Sequence, residues 1–506
     1  MNKGAIARIL ASMDLGSSVA EFDNLLESAR VETSVFTDFL NDRVDLVPGT
    51  KGSGKSALYR MFVDFLGPTL LRQRKVVVAH GVQSTGDEVF QAFRDRFEKL
   101  TEGQFVDFWC IYLVSLAHEQ FIKNPKYAEI LEPAGKSVEE FRRACAAARI
   151  PEIKSARTLR DILEWVLNAI PRPRKLTYAA PEGGRLELEL FPDPEEPAAE
   201  QTASGDAQMP RYVSEIKVAL EKVLIESDLS LWLLVDRLDE VFPRRSLVET
   251  RALRGLLRAL RLFTMDRLRV KVFLRDDIIE QVTTGADGFA ALTHVTARQA
   301  DTLKWSEEAI LTLIVKRLFA NEALCTSLGV DRSQLEASRE ARREAFYKVF
   351  PKTVYSPPNQ SPTLRWIYSH TKDGRGVVTP RDVIDLLTRA KQRQQDDYQA
   401  DPIGETDTII TSGAIRYGLS ELSKRKRDTL LKAEYPHLWP LMERLRGQKT
   451  EYSERAICQL LGSDSRGLDD LVSVGLLEKS QKKGEARYRV PFLYRDGLEL
   501  AQGSVE

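Results

Sequence analysis

Short apolar runs alternate along this chain with longer segments in which apolar residues recur every three or four positions. Four of the short runs, at residues 44–47, 75–79, 231–235 and 270–274, are mostly apolar and have the length of strands. Runs without polar alternation predict strands that are buried on both faces. Because helical segments separate these runs, the pattern predicts a parallel sheet covered by helices on both sides, which is an α/β fold.

The same pattern divides the first half of the chain into regions. Residues 1–42 are predicted to form a helical segment, and residues 43–301 are predicted to form the α/β core. Within the core, residues 87–170 have helical periodicity and are predicted to be a large insertion. Residues 171–210 predict a hairpin followed by a disordered loop, because turn residues separate two strand-like runs and a polar, Pro-rich stretch follows them.

The second half predicts two further domains. Residues 302–398 are predicted to form a helical lid, and residues 408–506 a winged-helix-like domain, because two short helical patterns precede a Lys/Gly-rich hairpin. The basic residues of this domain that could contact DNA phosphates are Lys424, Arg425, Lys426, Arg427, Lys479, Lys482, Lys483, Arg487 and Arg489. Acidic residues nearly balance them, so the composition favours a packing or partner-binding role over DNA binding.

A glycine-rich loop follows the first predicted strand and precedes a helical pattern, and it fits G-x-x-x-x-G-K-[ST] at every fixed position. Such a loop directs backbone N–H groups at phosphate oxygens, and the following helix adds the positive end of its dipole. The predicted phosphate-binding residues are Gly49, Lys51, Gly52, Ser53, Gly54, Lys55 and Ser56. Lys55 is expected to reach the β- and γ-phosphates, and the hydroxyl of Ser56 is expected to hold Mg²⁺.

A second candidate motif follows the apolar run at 231–235, where the sequence is Asp-Arg-Leu-Asp-Glu. A buried parallel strand delivers such carboxylates to the edge of the sheet where ligands collect. Asp236 is predicted to hold Mg²⁺, mostly through water. Glu240, or alternatively Asp239, is predicted to polarise the attacking water. The guanine-selective N-K-x-D motif is absent from the sequence, which favours ATP as the nucleotide.

The spacing Asp-x-x-Asp-Glu resembles the D-G-x-D-E signature of STAND NTPases more than the adjacent Asp-Glu of typical AAA+ proteins. Arg275, after the next strand, resembles the sensor-1 arginine of STAND proteins, which monitors the γ-phosphate. The alternative for Arg275 is an ion pair with Asp276 or Asp277. Arg381, in T-P-R-D, resembles the sensor-2 arginine of AAA+ ATPases, which reaches over the nucleotide from the lid.

The alternative for Arg381 is a structural ion pair with Asp382 or Asp385. Taken together, the glycine loop, V-D-R-L-D-E, F-L-R-D-D, Trp305 within L-K-W, T-P-R-D and the segment at residues 15–23 resemble bacterial stand-alone P-loop ATPases that are labelled FunZ-like. The resemblance implies a nucleotide-driven switch, an ATPase that is slow or stimulated by a partner, in phage defence or mobile-element biology. It departs from compact AAA+ modules in the long helical stretch between Lys55 and Asp236.

The composition indicates which binding partners and which cellular compartment to expect. Lys and Arg total 74, equal to Asp and Glu at 74, so the net charge is zero and an overall electrostatic attraction to nucleic acid is not expected. We expect a homo-oligomer and a separate protein effector, with DNA as an alternative partner of the winged-helix-like domain. The scattered cysteines and the lack of a long apolar stretch predict a cytoplasmic protein without a membrane segment.

Overall fold

The computed structural model describes residues 3–81, 98, 100–148, 150, 174–179, 185–190, 208–237, 246–283, 296–356, 361–400, 408–462, 465–482 and 484–505. The chain divides into two compact units. The sheet unit comprises Ser34–Thr50 and Lys55–Leu303. The helical unit comprises Met1–Thr33, Lys51–Gly54 and Lys304–Glu506.

The sheet unit is built on four parallel strands: β1 (Leu46–Pro48), β2 (Val76–His80), β5 (Ser230–Val235) and β6 (Leu268–Leu274). Their order across the sheet is β1-β6-β5-β2. Most strand residues are buried, which is why these strands lack polar alternation. The predicted α/β fold with a parallel sheet is therefore confirmed, and all four predicted strands overlap the observed ones.

A buried charge interrupts the apolar pattern of β6. Lys271 lies in the middle of β6 and is fully buried. Its ammonium donates hydrogen bonds to Asp42 Oδ1 at 2.7 Å, to the Val44 carbonyl at 2.7 Å and to Asp45 Oδ1 at 3.1 Å. Arg298 also contacts both aspartates. These bonds tie the chain just before β1 to the middle of β6, beside which β1 runs in parallel.

The helices of the sheet unit are Ser34–Leu40, Lys55–Arg60, Gly67–Arg74, Glu102–Ala117, Ala128–Leu131, Gly135–Ala147, Gln208–Glu226, Leu247–Phe263 and Asp276–Thr283, with π-helical turns at Met61–Leu66 and His118–Ile122. Helix Glu102–Ala117 lies in the region predicted to be an insertion. Every residue from Gln104 to Ala117 is buried, and the indole of Trp109 donates a hydrogen bond to the Ala252 carbonyl at 2.7 Å. This part of the region is therefore integral to the core of the unit.

The hairpin expected near residues 175–190 corresponds to β3 (Arg174–Ala179) and β4 (Arg185–Leu190), which pair in antiparallel fashion. The Pro-rich loop predicted after it lies outside the described residues.

The helices of the helical unit are Lys3–Ser12, Glu307–Leu318, Glu322–Leu328, Arg332–Ala337, Arg339–Val349, Thr363–His370, Pro380–Ala400, Ser412–Lys426, Trp439–Glu443, Glu454–Leu461, Ser465–Ser473 and Phe492–Arg495. A second sheet contains β7 (Lys449–Ser453), β8 (Glu478–Lys482), β9 (Glu485–Arg489) and β10 (Ala501–Val505) in the order β10-β7-β9-β8. The antiparallel hairpin β8–β9 follows two short helices, as the sequence predicts. None of the described helices combines the length and apolar character needed to cross a bilayer.

The N-terminal segment is less helical than its periodicity predicts. Between helices Lys3–Ser12 and Ser34–Leu40 the described chain has only one turn of 3-10 helix. Gly16 has a φ of +67°, and a Cβ there would meet both Asp23 and Arg317. The Asp23 carboxylate accepts hydrogen bonds from the Arg317 guanidinium and from the Ser17 and Leu25 amides. Side-chain hydrogen bonds to the backbone replace helical bonds in this segment.

Candidate functional site

Three predicted site residues lie at one edge of the parallel sheet. Lys55 follows β1 through the glycine loop, Arg275 directly follows β6, and Asp236 directly follows β5. The order β1-β6-β5 makes these strands neighbours, and parallel strands present their carboxyl ends at the same edge. A strand, a glycine loop and a helix at this edge make the sheet unit an α/β fold of the P-loop NTPase type.

The glycine loop holds its backbone in a conformation that suits anions. Gly52 has a φ of +85° and Gly54 a φ of +105°, values that only glycine adopts at low cost. Within the described parts of the chain, the amides of Gly52, Ser53 and Gly54 donate no hydrogen bond. Backbone N–H groups normally find partners, so a run of such amides indicates a site for an anionic ligand.

The side chain of Lys55 lies against its own loop. Its ammonium donates hydrogen bonds to the carbonyls of Gly49 at 2.6 Å and Thr50 at 2.9 Å. The helix Lys55–Arg60 begins at this residue, so Ser56 lies in the first helical turn, where the backbone N–H groups lack intrahelical acceptors. The loop thus combines amide donors, an ammonium and a helix N-terminus in eight consecutive residues.

Within the helical unit, residues 51–54 of the loop contact side chains from distant parts of the sequence. The indole of Trp305 donates a hydrogen bond to the Ser53 carbonyl at 2.8 Å. A Cβ at Gly54 would lie 3.7 Å from the Trp305 ring. The carboxylate of Glu434 forms an ion pair with Lys51.

Arg381 also lies against this part of the loop. A Cβ at Gly52 would come within 3.0 Å of the Arg381 Cβ and 3.3 Å of the Thr379 hydroxyl. The Arg381 guanidinium donates to the Ser18 carbonyl at 3.3 Å. Asp382 pairs instead with Lys426, and Asp385 pairs with Arg425.

Asp236 is 8% exposed at the end of β5. Burial and, secondly, the negative charge of Asp236 raise the pKa of the Tyr59 phenol. The phenol donates a hydrogen bond to the Gly81 carbonyl at 3.0 Å. Arg237, the next residue after Asp236, has a φ of +59°, an uncommon conformation for a residue with a Cβ and one that often marks functional sites. Asp239 and Glu240 lie outside the described residues.

Arg275 forms the ion pair that was the alternative to a sensor role. Its guanidinium makes a bidentate contact with Asp277, with hydrogen bonds of 3.0 and 2.7 Å. The Arg275 side chain is 10% exposed, whereas that of Asp277 is 31% exposed, so only the guanidinium side of the pair is shielded from water. The sensor role of Arg275 stays a prediction.

Two residues that touch the loop were missed or left without a role by sequence reasoning. Trp305 was noted only as part of L-K-W, and Glu434 carried no recognisable signal. Both reach the loop across several hundred residues, at sequence separations of 252 and 383. Only the tertiary structure shows that this aromatic donor and this buried carboxylate lie beside the loop.

Several basic side chains that the sequence suggested for DNA contact form ion pairs where the structure describes them. In the run at residues 424–427, each of the four side chains forms an ion pair with an aspartate or glutamate. On the hairpin, Arg489 pairs with Glu478, and the Lys479 ammonium lies over the Tyr488 ring. Lys483 lies outside the described residues. These contacts reduce the positive potential that phosphate binding requires.

No protein-family model matches the chain, and no curated protein matches it. Solved structures that resemble it include the ORC2 protein of Aeropyrum pernix, in ADPNP–ADP complexes, with 11% identity, a TM-score of 0.37 and coverage of 92% of this chain and 90% of that one. A Walker-type ATPase of Pyrococcus abyssi has 10% identity, a TM-score of 0.36 and coverages of 96% and 98%. Cdc6p of Pyrobaculum aerophilum has 11% identity, a TM-score of 0.26 and coverages of 92% and 91%. At these TM-scores the likeness adds nothing to what the strand order and the loop geometry establish by themselves.

Proposed function

We propose that this protein binds ATP with Mg²⁺ at the glycine loop and hydrolyses it slowly, as a nucleotide-controlled switch. The observation that carries the proposal is the loop itself, in which the amides of Gly52, Ser53 and Gly54 donate no hydrogen bond to described residues. Positive φ angles at Gly52 and Gly54 make this arrangement of amides possible. A chain of phosphates is the ligand class that such a run of donors fits.

The remaining residues fit the same ligand. Lys55, which now holds two loop carbonyls, carries a flexible ammonium that can transfer to phosphate oxygens. Ser56 and the buried Asp236 are hard oxygen donors of the kind that Mg²⁺ prefers. When bound, Mg²⁺ would neutralise charge on the β- and γ-phosphates. We assign Glu240, or Asp239, to the orientation of water, and Arg275 and Arg381 to the sensing of the γ-phosphate.

The test is steady-state ATP hydrolysis by the purified full chain, compared with Lys55→Ala. Removal of the ammonium should abolish turnover and weaken ATP binding by more than tenfold, because a positive charge next to the phosphates contributes more than about 1.4 kcal/mol. Arg60→Ala serves as the matched control, since Arg60 is a cation of the same helix that pairs with Asp64. Equal binding by wild type and Lys55→Ala would contradict the proposal.

A second candidate function is DNA binding by the C-terminal region. The order of helices Glu454–Leu461 and Ser465–Ser473 before the hairpin β8–β9 favours a winged helix. The ion pairs at residues 424–427 weigh against a strong phosphate contact. Duplex DNA should therefore be included in the hydrolysis assay, and a salt-dependent rise in turnover would favour this second candidate.

The proposal for the biological setting rests on the sequence resemblance. The resemblance to FunZ-like ATPases favours phage defence or mobile-element biology, together with self-association and a separate effector protein. Among the described residues no cluster of three His, Cys, Asp or Glu side chains could hold a further metal ion. Purification with the proteins encoded beside it would test this part.

A further inference from the structure

We propose that Trp305 is a positioning residue of the glycine loop, which fixes the direction of the Gly54 amide towards the phosphates. This inference rests on the proposed nucleotide function, because it concerns the same loop. The contact that carries it is the hydrogen bond of 2.8 Å from the Trp305 indole to the Ser53 carbonyl.

Because the peptide bond is planar, this contact also fixes the direction of the next amide. The Ser53 carbonyl and the Gly54 N–H belong to one planar peptide unit, and in a trans peptide they point in opposite directions. With the carbonyl held on Trp305, the Gly54 N–H must point away from the indole. It donates no hydrogen bond to any described residue. A ligand therefore meets this donor only on the side opposite the tryptophan.

The backbone around the peptide makes such an anchor necessary. Gly54 has a φ of +105°, and glycine moves between positive and negative φ at little cost. Without an anchor, the Ser53–Gly54 peptide can rotate and turn its carbonyl oxygen towards the phosphates. Ser53 is fully buried, so its carbonyl depends on a protein donor. Trp305 supplies that donor, and Tyr368 fixes the tryptophan backbone by donating its hydroxyl proton to the Trp305 carbonyl at 3.1 Å.

The contact also places Trp305 beside the loop without blocking it. The indole ring lies 3.7 Å from the position of a Gly54 Cβ, which is ordinary van der Waals contact. A change in the loop on phosphate binding should therefore alter the surroundings of the indole. Tryptophan fluorescence responds to such changes, which gives the proposal a spectroscopic readout.

The experiment compares the full-length wild type with Trp305→Phe, which keeps an aromatic ring but removes the N–H donor. Trp439→Phe is the matched control, because Trp439 is a half-buried tryptophan elsewhere in the helical unit. The probes are ADP and inorganic tripolyphosphate, with adenosine as the ligand that lacks phosphates. We expect Trp305→Phe to bind ADP and tripolyphosphate about fivefold more weakly, the value of one hydrogen bond. Adenosine binding and the unfolding temperature without ligand should match those of the control.

The wild type and Trp439→Phe should also show a fluorescence change on addition of ADP that Trp305→Phe lacks. Equal ADP affinity in Trp305→Phe and Trp439→Phe, or the same fluorescence change in both, would overturn the role of Trp305 and leave the nucleotide function intact. Failure of the wild type to bind any phosphate probe would overturn both. If Trp305→Phe does not fold, Trp305→Leu, whose side chain also lacks a donor, carries the same affinity and fluorescence test.

Discussion

Glu434 places a carboxylate beside Lys51, in a loop that is expected to bind negatively charged phosphates. Its side chain is 6% exposed and forms an ion pair with Lys51, which is 41% exposed. A carboxylate this close to a phosphate site repels the ligand, and it also engages a lysine that could otherwise turn towards the ligand. Glu434 therefore opposes nucleotide binding in this arrangement.

We expect Glu434→Gln to raise the affinity for ADP and ATP about threefold to tenfold, because it removes a negative charge and frees Lys51 while keeping the shape of the side chain. The measurement is a titration with a fluorescent nucleotide at low salt, where charge effects are least screened.

Glu421→Gln is the control for this change, since Glu421 pairs with Lys424 on the exposed side of helix Ser412–Lys426. The control should alter the affinity less than twofold. If Glu434→Gln binds nucleotide no more tightly than the control, the ion pair has no influence on the site.

At the scale of elements, the apolar pattern predicted the sheet well because the parallel strands are buried on both faces. The observed strands begin or end within two residues of the predicted runs. The pattern failed for the segment between residues 13 and 33, where the apolar spacing is helical but Asp23 holds the backbone in a loop. Periodicity reports which residues are buried, and it cannot detect a side chain that competes for backbone hydrogen bonds.

Lys271 gives an element-scale prediction. Lys271→Met keeps the length of the side chain but removes the charge that faces Asp42 and Asp45 and the donor to the Val44 carbonyl. We expect the free energy of unfolding to fall by about 2–3 kcal/mol, because buried acceptors lose a partner while Arg298 retains part of the network. Urea denaturation monitored by circular dichroism measures the change.

The comparison variant is Lys222→Met. Lys222 forms an exposed ion pair with Glu140, so this substitution should lower the free energy of unfolding by less than about 1 kcal/mol. A cost for Lys271→Met as small as this would show that the buried network does not stabilise the sheet.

At the scale of the whole molecule, acid sensitivity should depend on a buried histidine. His370 is stacked between Trp366 and Phe492, each with a ring-centroid distance of 4.0 Å. Burial lowers the pKa of His370 from 6.5 to about 4. The unfolded chain therefore binds a proton more readily than the folded chain between these pH values, so stability falls as the pH falls through this window.

His370→Phe should retain the stacking and remove the titration. We expect the wild type to lose up to about 3 kcal/mol of stability between pH 6.5 and pH 4, relative to the variant. The measurement is the difference in the free energy of unfolding between the two proteins at several pH values. The carboxylates are common to both proteins, so the contribution of their titration cancels in this difference. A difference that stays constant from pH 7 to pH 4 would contradict this assignment.

The four strands, the glycine loop and the acidic residue at the end of β5 could all be predicted from the sequence, because these features depend on local spacing and on burial. Only the tertiary structure shows that Trp305 and Glu434 contact the loop. It also shows that the amides of Gly52, Ser53 and Gly54 donate no hydrogen bond to a described residue. In addition, it pairs the basic run at residues 424–427 with carboxylates. Such contacts join residues up to 383 positions apart. A local pattern shows that a side chain can be charged, buried or aromatic, whereas its partner is decided only when the whole chain packs.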